Sequence, residues 1–337
     1  MGNPPARFGA YNKVLREGGT VNTLTNNVFD CALVFEGGGY RGSFSAGIAN
    51  VLLEQGIHFD YVCGLSAGAS NTINYVSRDR TRVRKSFIVD GPAKSAVGLR
   101  SILRGKGYFD ADALYEGALT SGALPFDWEA FSANPARVRI QAFERDSGRT
   151  VRFGREEMTD PTRMVNIVRA SSTLPGAMQP LPIDGVVYYD GGLGTGAGIP
   201  LCMAEDDGFE RFFFVATRPR GYRKQPPTER EARIYARIAK DYPYLRKALL
   251  SRWERYNVAI EHVERLAAEG RAYVVYPDEM TVESGTVSTR RLTASYEAAH
   301  EQGLRDLPLW RTFLFGAPDA GPRPEDPDAG TGYITLG

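Results

Sequence analysis

Short apolar runs alternate with segments of helical periodicity along the N-terminal part of the chain. The run Cys31–Phe35 is continuously apolar, which is typical of a strand buried on both faces of a sheet. A helical segment runs through Ala46–Glu54, a second strand is predicted at Tyr61–Gly64, and a helix over about 67–77 follows it. Strand, helix, strand and helix in this order predict a parallel sheet that is covered by helices.

The rest of the chain adds further strands and a long helical region. A helix is predicted around 159–170, and the segment 180–190 is expected to form two short strands around an Asp184-Gly185 turn. Three more apolar strands are predicted at Val138–Phe143, Phe212–Ala216 and Ala272–Tyr276. Charged helical segments are predicted over about 228–268 and 291–307. The pattern therefore predicts an α/β fold with a mostly parallel central sheet.

These elements suggest one large domain with a less ordered segment at each end. We expect the domain to span 30–315, with the helical region over about 228–310 as its C-terminal extension. Residues 1–29 are polar with scattered charge, and we expect a weakly structured lead-in there. From about Gly316 the chain is rich in Gly, Pro and Asp, so a disordered tail is predicted over 316–337.

Composition and charge narrow the classes of function. The 337 residues are 42% hydrophobic and 24% charged, which is ordinary for a globular protein with a large core. The net charge of +1 gives no indication of nucleic-acid binding. The three cysteines form no C-x-x-C pair and are expected to be free thiols in a reducing compartment.

The hydropathy of the chain gives no sign of a membrane-spanning segment. No apolar run approaches the roughly 20 residues of a spanning helix, and the first residues lack an apolar signal core. We therefore expect a soluble cytoplasmic protein, whose contact with a membrane would be peripheral. None of these features indicates an oligomeric state.

The segment 62–68 reads Val-Cys-Gly-Leu-Ser-Ala-Gly and contains a G-x-S-x-G motif centred on Ser66. The motif lies where the second strand turns into a helix, which is the context in which it presents a nucleophilic serine. Gly64 and Gly68 would remove side chains at the point where strand and helix approach each other. The alternative is a tight turn whose serine only caps the helix. The motif and its context together favour the nucleophile.

A glycine-rich loop, Gly37–Gly42, lies between the first strand and its helix. Its first, third and last glycines satisfy G-x-G-x-x-G, so a dinucleotide site is one alternative, and a tight turn without a ligand is another. A dinucleotide site would require an acidic residue at the end of the next strand, whereas Asp60 precedes that strand. The loop is better suited to receive a negative oxygen with its bare backbone N–H groups, and Arg41 would orient it or add positive charge.

A serine nucleophile needs a general base, and the chain offers two kinds. His262 and His300 lie in charged helical segments, and His58 precedes the second strand at the wrong end of the sheet, so none is a good candidate. Asp190 ends an apolar strand and is followed by two glycines, so its carboxylate would emerge at a loop that allows close approach. It can act as a base if it reaches the hydroxyl and has a raised pKa. The alternative is an ordinary Asp-Gly turn.

Several motifs occur together in a fixed order. They are G-G-G-x-R-G at Gly37–Gly42, G-x-S-x-G at Gly64–Gly68, A-S-x-x-L-P at Ala170–Pro175 and D-G-G at Asp190–Gly192. In this combination the chain resembles the patatin-like phospholipases over about 30–310, and within them a bacterial subgroup.

The resemblance implies a three-layer α/β/α sandwich, a catalytic dyad of Ser66 and Asp190, and neither a metal nor a cofactor. It also implies three structural motifs around the dyad. They are an oxyanion hole formed by Gly37, Gly38, Gly39, Arg41 and Gly42, a nucleophile elbow with Gly64 and Gly68, and an Asp-Gly-Gly motif with Gly191 and Gly192. The implied activity is hydrolysis of a lipid or other acyl-ester substrate, as by a phospholipase A or lysophospholipase. The alternatives are an acyltransferase with the same dyad and a catalytically weak lipid-binding or regulatory protein.

Three features of the chain leave alternatives open. The loop after Asp190 is longer and richer in glycine than is usual in the family, so we expect it to be mobile. The basic segments 78–85 and 218–224 are either solvated faces or surfaces for anionic lipid. A group of aromatic residues either packs in the core or lines an acyl pocket, namely Phe126, Trp128 and Phe131.

Overall fold

A computed structural model of the chain describes residues 24–88 and 124–316. Within these residues eight strands form one sheet. Their bounds are β1 (Ala32–Phe35), β2 (Tyr61–Gly64), β3 (Arg137–Glu144), β4 (Thr150–Gly154), β5 (Pro182–Ile183), β6 (Val186–Asp190), β7 (Phe212–Val215) and β8 (Ala272–Val275). The sequence predicts every one of these strands except β4.

The sheet is mostly parallel, as predicted. Strands β3, β2, β1, β7 and β8 lie side by side in that order, and all of them run parallel. Strands β4 and β6 pair antiparallel with β3, and β5 pairs antiparallel with β6. The antiparallel strands therefore lie at one side of a parallel sheet.

The helices in the described residues are α1 (Gly42–Glu54), α2 (Ala67–Val76), α3 (Arg80–Lys85), α4 (Trp128–Ala133), α5 (Pro161–Ser172), α6 (Leu201–Asp206), α7 (Glu229–Ile238), α8 (Pro243–Leu250), α9 (Arg252–Ala268) and α10 (Thr289–Phe315). Three 3-10 helices occur at Gly39–Arg41, Arg155–Glu157 and Gly191–Leu193. The helical region predicted over 228–268 is divided into α7, α8 and α9, and a proline begins α8. Helix α10 is longer than the predicted 291–307.

Alternate residues of the central strands face two different apolar layers. Leu33 and Phe35 pack into a core with α1, α2, α5 and α10, whereas Ala32 and Val34 pack into a second core with α6 and α9. Burial on both faces explains why β1 has no polar residue. The prediction of a three-layer α/β/α sandwich is therefore confirmed.

Strands β2 and β6 meet end to end beside β3. The pairing of β2 with β3 ends at Gly64 opposite Ile140, and the antiparallel pairing of β6 ends at Asp190 opposite Ala142. Because β4 occupies the other edge of β3 along both pairings, β2 and β6 share one edge. Their carboxyl ends therefore converge, and the segments that leave them begin within a few residues of the same point.

The described start of the chain joins the fold earlier than expected. Val28 is buried and forms an isolated bridge with Phe59, and the amides of Asn27 and Val28 donate to the His58 carbonyl at 2.8 and 3.0 Å. The greater part of the predicted lead-in and the predicted tail beyond Gly316 lie outside the described residues. Among the described helices, none is both long enough and apolar enough to cross a membrane.

Candidate active site

Ser66 lies in the turn between β2 and α2, and its backbone is strained. Its φ of 53° and ψ of −124° are outside the regions that residues with a side chain prefer, which costs about 1–3 kcal/mol. The turn is held by Ser171 of α5, whose Oγ accepts the Ser66 amide at 2.9 Å and donates to the Gln141 carbonyl at 2.6 Å. Strain that is held in this way fixes the position of the Ser66 side chain.

The two glycines of the turn lie where backbones touch. A Cβ on Gly64 would come within 2.3 Å of the Gly68 carbonyl oxygen, and a Cβ on Gly68 within 2.3 Å of the Phe35 carbonyl oxygen. A side chain at either position would push α2 away from the sheet. These contacts explain why glycine stands on both sides of Ser66.

Asp190 is a buried carboxylate at the end of β6. Its side chain is 4% exposed, and its Oδ1 accepts the Gly192 amide at 2.7 Å. Burial raises the pKa of Asp190, while the charge of Arg252, a hydrogen bond from Ser66 and the Gly192 amide lower it. The carboxylate therefore lies beside the Ser66 hydroxyl, and its raised pKa makes it a stronger base than an exposed aspartate.

The glycine-rich loop brings backbone N–H groups to the same place. The amides of Gly37, Tyr40 and Arg41 donate to the carbonyls of Gly198, Ser284 and Gly38 at 3.0, 3.0 and 3.3 Å. The amides of Gly38 and Gly39 have no acceptor in the part of the chain that the structure describes. A Cβ on Gly37 would come within 3.4 Å of the Ser66 Cβ, so the loop passes directly beside the serine.

The C-terminal helices hold the loop that follows Asp190. Arg252 lies against this loop and donates from Nε to the Ala197 carbonyl at 3.3 Å. Arg255, one turn further along α9, donates from Nη1 to the carbonyls of Leu193, at 2.9 Å, and Gly194. From the sheet side, Gln141 Nε2 donates to the carbonyls of Gly191 and Thr195 at 2.8 and 2.9 Å. The loop was predicted to be mobile, but its carbonyls are bound from both sides.

A cavity of about 370 Å³ opens over these groups. One wall carries Ser66, Asp190 and the glycine-rich loop. Another wall is apolar and includes Ile73, Phe87, Val165, Val168, Leu174 and Met178. The remaining wall is polar and includes Glu36, Arg41, Arg218, Lys224, Arg252 and Tyr256. The Ser66 hydroxyl, the Asp190 carboxylate, free N–H groups and an apolar surface therefore share one space.

A family model described as patatin-like phospholipase matches residues 33–202, which is half of the chain. The chain belongs to the patatin-like phospholipase family. A second model, described as a domain of unknown function (DUF6363), matches residues 242–315. This second region includes α8, α9 and α10, so Arg252 and Tyr256 of the cavity come from it.

Two bacterial proteins are among those similar to this patatin-like protein. One is the Uncharacterized protein YjjU of Escherichia coli strain K12, which is 28% identical over 190 residues. That match covers 56% of this chain and 52% of YjjU, so the chain spans about half the length of this relative. A solved structure of VipD from Legionella pneumophila has 13% identity and a TM-score of 0.43, over 82% of this chain and 66% of VipD.

The predicted site residues of this patatin-like protein divide into two groups. Those that line the cavity are Ser66, Asp190, Gly37, Gly38, Gly39 and Arg41. Those that pack elements together behind it are Gly42, Gly64, Gly68, Gly191 and Gly192. None of the three histidines lines the cavity, and His262 and His300 instead bind Glu205 and Glu54 at 2.6 and 2.8 Å.

Several cavity residues were not singled out as site residues from the sequence. Glu36 is buried, and its two carboxylate oxygens accept the Thr217 amide at 2.6 Å and the Tyr256 hydroxyl at 2.9 Å. Ser171 is the second residue of the A-S-x-x-L-P motif, so that motif was a signal for its role beside Ser66. Glu36 carried no signal of its own, since its partners lie far away in sequence.

The two basic segments are solvated only in part. In 78–85, Arg80 and Arg84 are exposed, whereas Arg82 is buried and its Nε donates to the Asn74 side chain at 2.9 Å. In 218–224, Arg218 and Lys224 line the cavity. The solvated-face alternative therefore holds for the exposed side chains alone, because a run of charges does not show which members turn inward.

The aromatic group follows the core alternative. Phe131 is buried, and Phe126 and Trp128 pack against the same core at ring distances of 5.6 and 5.5 Å from Phe131. The cavity's apolar wall is built from other residues, most of them aliphatic.

Proposed function

We propose that this protein hydrolyses acyl esters of lipids, in the manner of a phospholipase A or lysophospholipase, with Ser66 as nucleophile and Asp190 as general base. The observation that carries the proposal is the buried Asp190 carboxylate, with its raised pKa, in contact with a strained Ser66 at the wall of a cavity. Membership in the patatin-like phospholipase family supports lipid esters as the substrate class.

Asp190 takes the proton of the Ser66 hydroxyl as Oγ forms a bond to the ester carbonyl carbon. The tetrahedral intermediate collapses by breaking the bond to the alcohol oxygen, which leaves with the proton that Asp190 returns to it. Water then attacks the acyl-serine, Asp190 takes a proton from that water, and the Ser66 oxygen leaves and is reprotonated. The products are a carboxylic acid and an alcohol or lysolipid.

The amides of Gly38 and Gly39 are the proposed donors to the oxyanion. They lie in the loop beside Ser66 and have no acceptor among the described residues, so they are free to bind a developing negative oxygen. Loss of one such donor raises a barrier of this kind by about 3 kcal/mol. The Arg41 amide, which was expected in the same role, is already bound to the Gly38 carbonyl.

The apolar wall is the proposed site of the acyl chain. Ile73, Val165 and Val168 line it from α2 and α5, and Leu174 and Met178 line it from the segment after α5. Each methylene of an acyl chain that is buried against this wall contributes about 0.8 kcal/mol of binding free energy. The rate of hydrolysis should therefore increase with chain length until the chain is longer than the apolar wall.

The test compares wild type, Ser66→Ala, Asp190→Asn and the matched control Ser147→Ala, which alters a serine that does not line the cavity. Each is assayed with p-nitrophenyl esters of graded chain length and with a fluorophosphonate label. We expect Ser66→Ala to lose labelling and both dyad variants to lose at least a thousandfold in kcat, whereas Ser147→Ala retains both. Equal rates in wild type and Ser66→Ala would overturn the proposal. Release of free fatty acid, as opposed to acyl transfer to added lysolipid, separates a hydrolase from an acyltransferase.

A further inference from the structure

Five cationic side chains line the cavity. One of them, Arg82, donates to the Asn74 side chain and to the carbonyls of Leu124 and Pro125. The other four are Arg41, Arg218, Lys224 and Arg252. They come from distant parts of the chain, the glycine-rich loop, the segment after β7 and the start of α9. The acidic residues that line the same cavity are Glu36 and Asp190. Five cationic side chains against two carboxylates leave an excess of positive charge in a partly enclosed space.

The two carboxylates offset the charge of this cluster only in part. Glu36 already accepts hydrogen bonds from Thr217 and Tyr256, and Asp190 accepts one from Gly192. In the described ranges, no carboxylate lies within ion-pair distance of any of the four cations. Positive charge in a cavity without a paired anion attracts an anionic ligand.

The Arg41 guanidinium lacks hydrogen-bond acceptors for two of its nitrogen atoms. Its side chain is only 6% exposed, and neither Nε nor Nη1 hydrogen-bonds to a residue that the structure describes. The Nε of Arg218 is likewise buried without a partner there. Buried donors without an acceptor are costly, so these atoms point to a ligand with several acceptor oxygens.

The cations also disfavour one another. Burial and the positive charges of Arg252, Arg218 and Arg41 lower the pKa of Lys224 to about 7, against the opposing effect of Glu36. Burial and the charge of Arg218 likewise lower the pKa of Arg41. The Lys224 Nζ lies 4.1 Å from the centre of the Tyr256 ring, which gives it a weak partner but no counter-charge. A dianion bound among these groups would relieve the repulsion.

We propose that Arg41, Arg218, Lys224 and Arg252 bind the phosphate monoester of an acylated lipid, so that the enzyme prefers phosphatidic or lysophosphatidic acid. This rests on the proposed function, because the head group must lie beside the ester that Ser66 attacks. A phosphate monoester carries nearly two negative charges, and its oxygens match the forked donors of arginine. A choline or ethanolamine head group would bring a further positive charge to a cavity that already has an excess.

The kinetic test uses dihexanoyl phosphatidic acid, dihexanoyl phosphatidylcholine and p-nitrophenyl hexanoate, which have the same acyl chain. We expect wild type to prefer phosphatidic acid over phosphatidylcholine at least tenfold in kcat/KM. In Lys224→Gln and Arg218→Gln, the ratio of phosphatidic acid to p-nitrophenyl ester turnover should fall at least tenfold. The matched control Lys247→Gln, an exposed lysine on α8, should keep the wild-type ratio.

The outcomes separate this proposal from the proposed function. Ser66-dependent hydrolysis with equal rates on the two phospholipids would overturn the phosphate subsite and leave the hydrolase in place. If no ester is hydrolysed, the phosphate subsite is tested without catalysis. The Ser66→Ala variant is then titrated in a calorimeter with phosphatidic acid and, separately, with inorganic phosphate. Phosphatidic acid binding at least tenfold more tightly than inorganic phosphate would support a lipid head group. Equal affinity would overturn the lipid head group as the ligand, and no binding of either would overturn the anion subsite.

Discussion

The Arg252 guanidinium lies against Gly192, two residues beyond Asp190. A Cβ on Gly192 would come within 2.7 Å of Arg252 Nη2, so only glycine leaves room for this arrangement. The charge of Arg252 is the main effect that opposes burial and lowers the pKa of Asp190. The proposed base and the charge that keeps it ionised thus come from regions that match two different family models.

Removal of this charge should change the pH profile. Burial already raises the pKa of Asp190, and without Arg252 it should rise further, so a larger fraction of the base is protonated at acid pH. We expect the acid limb of the profile of kcat/KM for p-nitrophenyl hexanoate to move to higher pH in Arg252→Met. Arg265→Met, on an exposed face of the same helix, is the control. A limb that does not move would mean that Arg252 does not act on the base.

The buried Asp190 carboxylate should also destabilise the folded protein near neutral pH. Because its pKa is higher in the folded protein than in the unfolded chain, its stabilising contribution is present at acid pH and is lost as the pH rises through the raised value. We expect Asp190→Asn to have a higher Tm than wild type at pH 7, with the difference shrinking at acid pH. Thermal unfolding followed by circular dichroism measures this. A lower Tm at neutral pH would show that the hydrogen bonds of the carboxylate outweigh its burial.

Arg255 should position the Asp190 loop without touching the substrate. Its guanidinium binds the carbonyls of Leu193 and Gly194 and, from Nη2, the Ala248 carbonyl at 2.8 Å, and it does not line the cavity. We expect Arg255→Met to lower kcat by about 10- to 100-fold, the effect of a displacement of about 1 Å, with little change in KM. Hydrogen exchange over 191–198 should rise in parallel. A kcat loss without faster exchange would indicate a different cause.

Ser171 should stabilise the strained turn at Ser66. Alanine at 171 would leave the Ser66 amide and the Gln141 carbonyl without their partner, which costs about 1–3 kcal/mol when both are buried. We expect Ser171→Ala to lower the free energy of unfolding in urea by this amount and to lower kcat as well. Ser77→Ala removes a hydroxyl that binds only the Asn74 carbonyl nearby, so its effect should be smaller. Equal losses of unfolding free energy in the two variants would mean that Ser171 does not hold the turn in particular.

Residues that stand in a local sequence motif could be predicted from the sequence. Residues whose place depends on partners far away in the chain could not. Ser66 and Asp190 stand in motifs at the ends of apolar strands, and the sheet brings those ends together. Glu36 could not be identified in this way, because its partners Thr217 and Tyr256 are 181 and 220 residues away. Lys224 was visible only as one charge in a basic segment, since periodicity does not show that such a loop folds into a cavity.

The position of β7 in the sheet shows that the folded domain extends beyond the region matched by the patatin-like family model. The patatin-like match ends at residue 202, but β1 pairs along its whole length with β7, at Phe212–Val215, and β8 follows on the far side. A fragment cut at the end of the match would leave β1 with a bare and wholly apolar edge, which invites pairing with other chains. Expression of the first 202 residues should therefore yield aggregates. A recombination that moved this segment as a module would carry Ser66 and Asp190, the proposed dyad, without the strand that covers the edge of β1.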